Sequence, residues 1–443
     1  MEKRDVVIIG GGPAGRTIVH MLHAAKSGMS ITVIKDEEIN VNRCAVPFGI
    51  NAKKPIEKFQ IPNKLVTEFG ADLVIDRVVK IDTDKKQVHT EGDKIIGYTH
   101  LVLSTGSRPI VPPIPGVDAK IITSVRSIKD LSVLRKLSSK GKDAVVVGGG
   151  YIGIEVAVVL RQIGMNVSVV EMLPKILMAT MEPEFINHVE DILNENGIRL
   201  LTNEKVIEFE HKSDREVVVK LGNGDSIPAD LVILSAGVLP NTELAAKAGI
   251  KTSRLGIWVD EYMRTSADNV YSCGDSAEKY SFTAGQPTRG EFGTNAVFMA
   301  KIVAENILGN NRKFAGVLNA NATSVYDWSL GSAGLTKQMA KDAGIDVVTG
   351  SSEVLDKYPM MDQVDLIRTK LFFNSKNQKL IGGCVMRKGN STAQNIDFIS
   401  FAIQMGATMD DILTYQYCTH PELAAKPSDN SFTFATRDAM NKL

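Results

Sequence analysis

The chain has 443 residues, too many for one simple core, and two or three domains are expected. Its 51 basic and 51 acidic residues cancel, which removes any charge argument for a nucleic-acid or anionic-membrane partner. No apolar run is long enough to span a bilayer, and "MEKRDVVIIG" lacks the long apolar region of a signal peptide, so a cytoplasmic protein is expected.

The first element in chain order is "DVVII", Asp5 to Ile9, a short apolar run that suits a buried parallel strand. It leads into "GGGPAG", where Gly10, Gly12 and Gly15 form a G-x-G-x-x-G pattern with Pro13 and Ala14 inside it. A helix over Arg16 to Lys26 and a second strand, "ITVI", Ile31 to Ile34, complete the unit. Glycines let a backbone approach a pyrophosphate, and a helix start offers unpaired N–H groups and a positive dipole. At the end of the second strand, where a ribose-binding carboxylate is usual, stands Lys35. Asp36 or Glu37 takes that contact with a small register shift, or this ribose has no carboxylate partner.

Next comes "NVNRCAVPFGI", Asn40 to Ile50, with a lone Cys44 beside a Pro-Phe-Gly turn. A redox cysteine often has a partner about five residues away, and those places hold Ile39 and Gly49. Cys44 is therefore either a small buried hydrophobe or a redox thiol whose partner comes from the substrate. The other three cysteines, Cys273, Cys384 and Cys418, are scattered, which suits a reducing compartment and shows no zinc spacing.

The glycine construction recurs further along. "DAVVV", Asp143 to Val147, precedes "GGGYIG", with Gly148, Gly150 and Gly153 around Tyr151 and Ile152. A helix containing Glu155 and a strand ending in Glu171 follow, and Glu171 stands where a ribose hydroxyl would donate to it. A carboxylate there repels a 2′-phosphate and favours NADH, although Lys175 is close in sequence and keeps NADPH as the alternative.

With "YTHLVLSTGSRP", Tyr98 to Pro109, and "YSCGDSAE", Tyr271 to Glu278, these motifs resemble the FAD-dependent pyridine nucleotide–disulfide oxidoreductases over nearly the whole chain. The resemblance implies an α/β fold with two Rossmann-like dinucleotide-binding domains and a C-terminal α+β dimerisation domain. It places the FAD domain at 1–117 and 241–320, the NAD(P)H domain at 118–240 after the linker "PPIPGVD", and the dimerisation domain at 321–443. FAD contacts are implied at Thr105, Gly106, Gly237, Gly274 and Asp275, besides the first glycine turn, Asp36 and Arg43. Tyr151 matches an aromatic that covers the flavin, and Cys273 and Cys384 are read as packing residues.

"RCAVPFGI" resembles the family's single-cysteine branch, which includes CoA-disulfide reductases, persulfide reductases and NADH oxidases. In that branch the lone cysteine lies beside the flavin and pairs with sulfur or oxygen from the substrate. Arg43 would lower the thiol's pKa, although strand alternation would turn it away. Pro13 stands where oxidases of the branch carry a His, which favours a small-molecule disulfide, persulfide or polysulfide over the two alternatives, oxygen and a protein partner to which the flavoprotein carries electrons. CoA is one candidate, but Met21 and Ala24 replace basic residues implied for it on the first helix, with Lys53 and Lys54 as compensation. Tyr358, before Pro359, and His420, before Pro421, resemble segments that enter the partner subunit's site in a homodimer. Cys418 is either packing or a second thiol facing Cys44 across that dimer.

Overall fold

A computed structural model describes residues 2–443. Its first sheet orders the parallel strands Ala71–Ile75, Ile31–Lys35, Glu2–Ile9, Ile95–Leu103 and Val270–Ser272, with an antiparallel extension through Gln87–Thr90 and Val78–Asp82. Val6, Val7, Ile8 and Ile9 are all buried because both faces of this sheet are covered. Helices Pro13–Ala24 and Gly293–Ile307 pack on one face and on each other.

The second sheet repeats the plan with Ile122–Thr123, Leu231–Leu234, Asp143–Val147, Asn166–Val170 and Ile198–Leu201, all parallel. A ribbon of Val206–Ser213, Glu216–Leu221 and Ser226–Ala229 closes one face, while helices Tyr151–Gln162 and Pro183–Glu195 close the other. Where the chain passes between the first two sheets it forms a small antiparallel pair, Ser107–Pro109 with Val238–Pro240.

The third sheet is wholly antiparallel, in the order Asn321–Val325, Trp328–Gly334, Leu380–Lys388, Leu366–Asn374 and Val347–Leu355. Helices Thr392–Gln404 and Ser431–Met440 cover one face, and the other lies against the second unit. Two parallel nucleotide-type sheets and a C-terminal antiparallel sheet make up the expected fold class. Among the described residues, no helix is long and apolar enough to cross a membrane.

Helix Ser431–Met440 sits so close to its strand that a methyl group on Gly350 would lie 1.7 Å from the Ala435 carbonyl oxygen. Gly350→Ala should therefore cost about 3 kcal/mol of stability, the upper end for overpacking. Chemical denaturation measures this, and an unchanged midpoint would show that the helix is not seated so tightly.

Candidate functional site

The first glycine turn is built by close backbone approach. Gly10 adopts φ +115°, and a Cβ there would lie 2.2 Å from the Ser104 carbonyl oxygen. A Cβ on Gly15 would lie 2.1 Å from the Gly10 carbonyl oxygen, whereas one on Gly12 meets nothing within 4 Å. Gly12 also caps the helix beginning at Pro13 with no side-chain acceptor, so the first-turn N–H groups face an open cradle. Arg16 Nε is buried without a partner beside it, and burial pushes the guanidinium's pKa down.

Lys35 is buried and reaches back, its Nζ donating to Asn63 Oδ1 at 2.7 Å and the Glu38 carbonyl at 3.2 Å. It braces the 36–40 loop. Asp36 is exposed, and Glu37 pairs with Arg43 at 3.5 Å.

The second turn follows the same construction. Gly148 adopts φ +112° against Ser235, a Cβ on Gly153 would lie 2.0 Å from the Gly148 carbonyl oxygen, and Gly150 is open. Glu171 accepts N–H groups of Gly149 at 2.6 Å and Leu173 at 2.8 Å, so its carboxylate is fixed over the turn. Lys175 is engaged by Glu190 at 2.7 Å. Ile152 is exposed, but Tyr151 turns inward: its hydroxyl accepts from Thr180 at 3.0 Å and its ring joins the core against the third sheet. Burial pushes that hydroxyl's pKa up. Covering a flavin would require Tyr151 to leave this bond.

The Cys44 segment is helical, which corrects the expectation of strand alternation. A single turn, Arg43–Ala45, runs into the short helix Val46–Gly49. Pro47 presets the second residue of that helix, and Gly49 is required because a Cβ there would lie 2.9 Å from Leu131. Arg135 holds the following loop, donating to the carbonyls of Gly49 at 2.8 Å and Lys54 at 3.0 Å.

Arg43 extends to the Gly106 turn. Its Nη1 and Arg126 Nη2 lie 3.6 and 3.7 Å from where a Gly106 Cβ would stand. Arg126 Nη2 is buried without a partner, and burial together with Arg43 pushes that guanidinium down to about 10.

Cys44 reaches solvent, yet the mass around it still desolvates the sulfur. Burial pushes its thiol up, the Glu155 and Asp275 carboxylates push the same way, and Arg43 opposes them weakly. Asp275 accepts from Ser107 Oγ at 2.7 Å. It follows Gly274, which adopts φ +75° in a close space between Ala14 and Ala296. Thr105 and Asn241 bond reciprocally at 2.8 and 2.9 Å, and the Gly237 carbonyl, at φ +97°, accepts from Ile110 at 2.9 Å.

Tyr358 and His420 come together elsewhere. The Tyr358 N–H donates to the Pro421 carbonyl at 3.1 Å, and His420 Nδ1 accepts from the Glu422 N–H at 3.2 Å. Among the described residues, no hydrogen bond of either reaches the Cys44 loop. Cys418 is exposed on a cavity of about 510 Å³ that also borders Asp356, Arg387 and Tyr417, while Cys273 and Cys384 are buried.

The sequence matches the pyridine nucleotide-disulphide oxidoreductase family over residues 4–300 and that family's dimerisation domain over 321–430. The chain belongs to that family. It is 33% identical to an "NADH oxidase" of Methanocaldococcus jannaschii, covering 99% of both chains. An "NAD(P)H sulfur oxidoreductase (CoA-dependent)" of Pyrococcus furiosus is 29% identical, over 96% of this chain and 97% of its own. A solved NAD-dependent persulfide reductase from A. fulgidus superposes with a TM-score of 0.92 at 30% identity, covering 99% of this chain and 83% of that one.

As a member of the family the protein is an FAD-dependent NAD(P)H oxidoreductase. The two open glycine cradles, and the unpartnered buried Arg16 Nε and Arg126 Nη2, fit anionic dinucleotides. Ser107 stands inside a recognised motif, whereas the motifs do not point to Arg126, Asn241 or Thr323, which lie far from Cys44 in sequence.

Gly12→Val tests the cradle. Its side chain fills only open space, so the variant should fold with wild-type thermal stability before FAD is added. It should then lose most bound flavin, measured by absorbance after reconstitution, and full flavin content would place the pyrophosphate elsewhere.

Proposed function

We propose that this flavoprotein carries two electrons from NADH through Cys44 to the sulfur–sulfur bond of a disulfide, persulfide or polysulfide. One observation carries the reading: Cys44 is a lone thiol open to solvent in the Arg43–Ala45 turn, which leads into a short helix packed against the helix of the second glycine motif. In this reading residues 1–117 and 241–320 hold FAD, 118–240 hold the nicotinamide nucleotide, and 321–443 make the contact of a homodimer. The inner face of Tyr358 and the His420–Pro421 segment, already joined to each other, enter the partner's site as one unit.

FAD, when bound, takes a hydride from the nicotinamide and passes on electrons in pairs. The chain's own residues do the rest. Ala14 and Gly15 bring backbone N–H groups to the FAD pyrophosphate, Gly10, Gly12 and Pro13 shape the turn that lets it approach, and Asp275, Thr105, Gly106 and Arg43 lie alongside. Gly148, Gly150, Ile152 and Gly153 do the same for NADH, and the anchored Glu171 receives its ribose hydroxyls.

Cys44 acts as the nucleophile: its Sγ attacks the acceptor, the acceptor's S–S bond breaks, and the departing sulfur takes a proton. Two electrons and one proton that originate as the NADH hydride, with a second proton from solvent, then open the bond between Cys44 and the acceptor sulfur, release that sulfur as a thiol and regenerate the Cys44 thiol.

Oxygen is the second reading, favoured by the 33% identity to a relative named NADH oxidase. The sulfur reading is favoured by the persulfide reductase of matching shape and by Pro13 in place of a His. For CoA the first helix offers little. Arg16 is half-buried, and His20 and His23 hold the Phe69 ring at 4.9 and 5.3 Å.

Cys44→Ser should abolish disulfide and persulfide reduction while flavin reduction by NADH survives in stopped-flow traces, because an alcohol forms no mixed disulfide. Wild-type sulfur reduction by the Ser variant would end the relay. Glu171→Ala should weaken NADH roughly tenfold or more and NADPH much less, since the lost bonds are charge-assisted. Steady-state comparison of the two nucleotides measures this, and an unchanged ratio would move the ribose contact elsewhere.

A further inference from the structure

The relay depends on a thiol held at a fixed place, and two sets of contacts hold it. In front of Cys44 the chain is tied to the first unit. Asn40 Nδ2 donates to the Gly11 carbonyl of the glycine turn at 2.9 Å, and Asn40 and Val41 pair with Ile61 and Gln60. Two residues before the thiol, the Asn42 N–H donates to the Phe59 carbonyl at 3.1 Å.

Behind Cys44 the short helix Val46–Gly49 ends in carbonyls that its own turns leave open. One side chain on helix Ile128–Ser138 of the second unit meets them. Arg135 Nε donates to the Gly49 carbonyl at 2.8 Å, and its Nη2 donates to those of Lys54 at 3.0 Å and Ala52 at 3.3 Å. Leu131, one turn earlier on the same helix face, packs where a Gly49 Cβ would stand, 2.9 Å away.

Phe59 joins the two sets. Its carbonyl holds Asn42, its ring edge lies 3.2 Å from the same Gly49 position, and the Arg135 guanidinium carbon stands 5.4 Å from the ring centre. One guanidinium therefore bears on both ends of the turn that carries the thiol. Among the described residues it has no carboxylate partner, and its bonds go to three main-chain oxygens. The planar fork spans carbonyls of Gly49 and Lys54 at once, which a compact ammonium on a flexible stem does poorly.

We propose that Arg135 is a positioning residue of the sulfur relay, fixing from the second unit how far Cys44 Sγ reaches toward flavin and acceptor. The inference rests on the relay above and names the side chain that sets its geometry. Arg135 acts through the backbone of residues 42–54. Hydride transfer from NADH to flavin does not pass through that backbone, whereas both steps at sulfur do. Moving a reacting atom by about 1 Å costs roughly 100-fold in rate.

The test compares FAD-loaded wild type with Arg135→Met, which keeps an apolar stem over Phe59 and removes every donor. Flavin content and flavin reduction by NADH are measured first, then kcat and KM with hydroxyethyl disulfide. The third readout is the long-wavelength absorbance of a thiolate against oxidised flavin, taken after dithiothreitol treatment and its removal. The fourth is tryptic cleavage after Lys53, which lies between the two residues that Nη2 holds.

Flavin content and reduction should stay close to wild type. Disulfide turnover should fall about 100-fold in kcat with KM little moved, and the long-wavelength band should lose most of its intensity. Trypsin should cut the freed loop faster. Arg135→Lys should show the same pattern in weaker form, and it carries the test if the Met variant fails to fold.

A brace that served stability alone would lower the melting temperature and leave kcat and the band of the folded protein unchanged, and that outcome overturns the proposal. Equal slowing of flavin reduction and disulfide turnover overturns it too. Sulfur reduction surviving in Cys44→Ser ends the relay itself, whereas a dead Cys44→Ser beside a fully active Arg135→Met ends only the role of Arg135.

Discussion

The position of the reactive sulfur depends on one contact, the seating of helix Tyr151–Gln162 between the cysteine segment and the third sheet. The helix belongs to the second nucleotide unit, yet its buried residues touch Val46 and Ile50 on one side and Val325 and Leu330 on another. It is apolar almost all round, as a helix covered on several sides must be. Each fully buried Val, Leu or Ile contributes about 1.5–3 kcal/mol, which is ample to fix three parts of the chain around it. Tyr151 and Glu155 are the polar exceptions of its first two turns, and each is satisfied by a hydroxyl from outside the helix, Thr180 and Thr323. The same packing that stabilises the assembly of units therefore seats the Cys44 segment against the second unit.

Local pattern made much of this readable from the sequence. Two glycine turns between apolar strands and helices encode their own geometry, because Gly10, Gly15, Gly148 and Gly153 are demanded by backbone approach within each unit. What could not be read is what long-range contact decides. Residues 40–50 look like strand and turn in isolation, and the Arg43–Gly49 helix forms where Leu131, Arg135 and the second unit's helix close on it. Arg126 and Thr323 lie 82 and 279 positions beyond Cys44, and no periodicity joins them to it.

The zero formal charge of the chain conceals a local excess. Arg16, Lys35, Arg126 and the fully buried Lys279 all have their pKa values pushed down by burial around the first cradle and Asp275. Among the described residues, Lys279 Nζ donates only to the Ala277 carbonyl, at 2.8 Å. Desolvated cations with too few carboxylates constitute a standing demand for an anion, which a dinucleotide's pyrophosphate meets. Folding and cofactor loading are coupled through that demand, since the anion binds only where the folded chain has gathered these groups. Charge summed over the whole sequence cannot reveal a site of this kind, because acids on distant surfaces cancel the count.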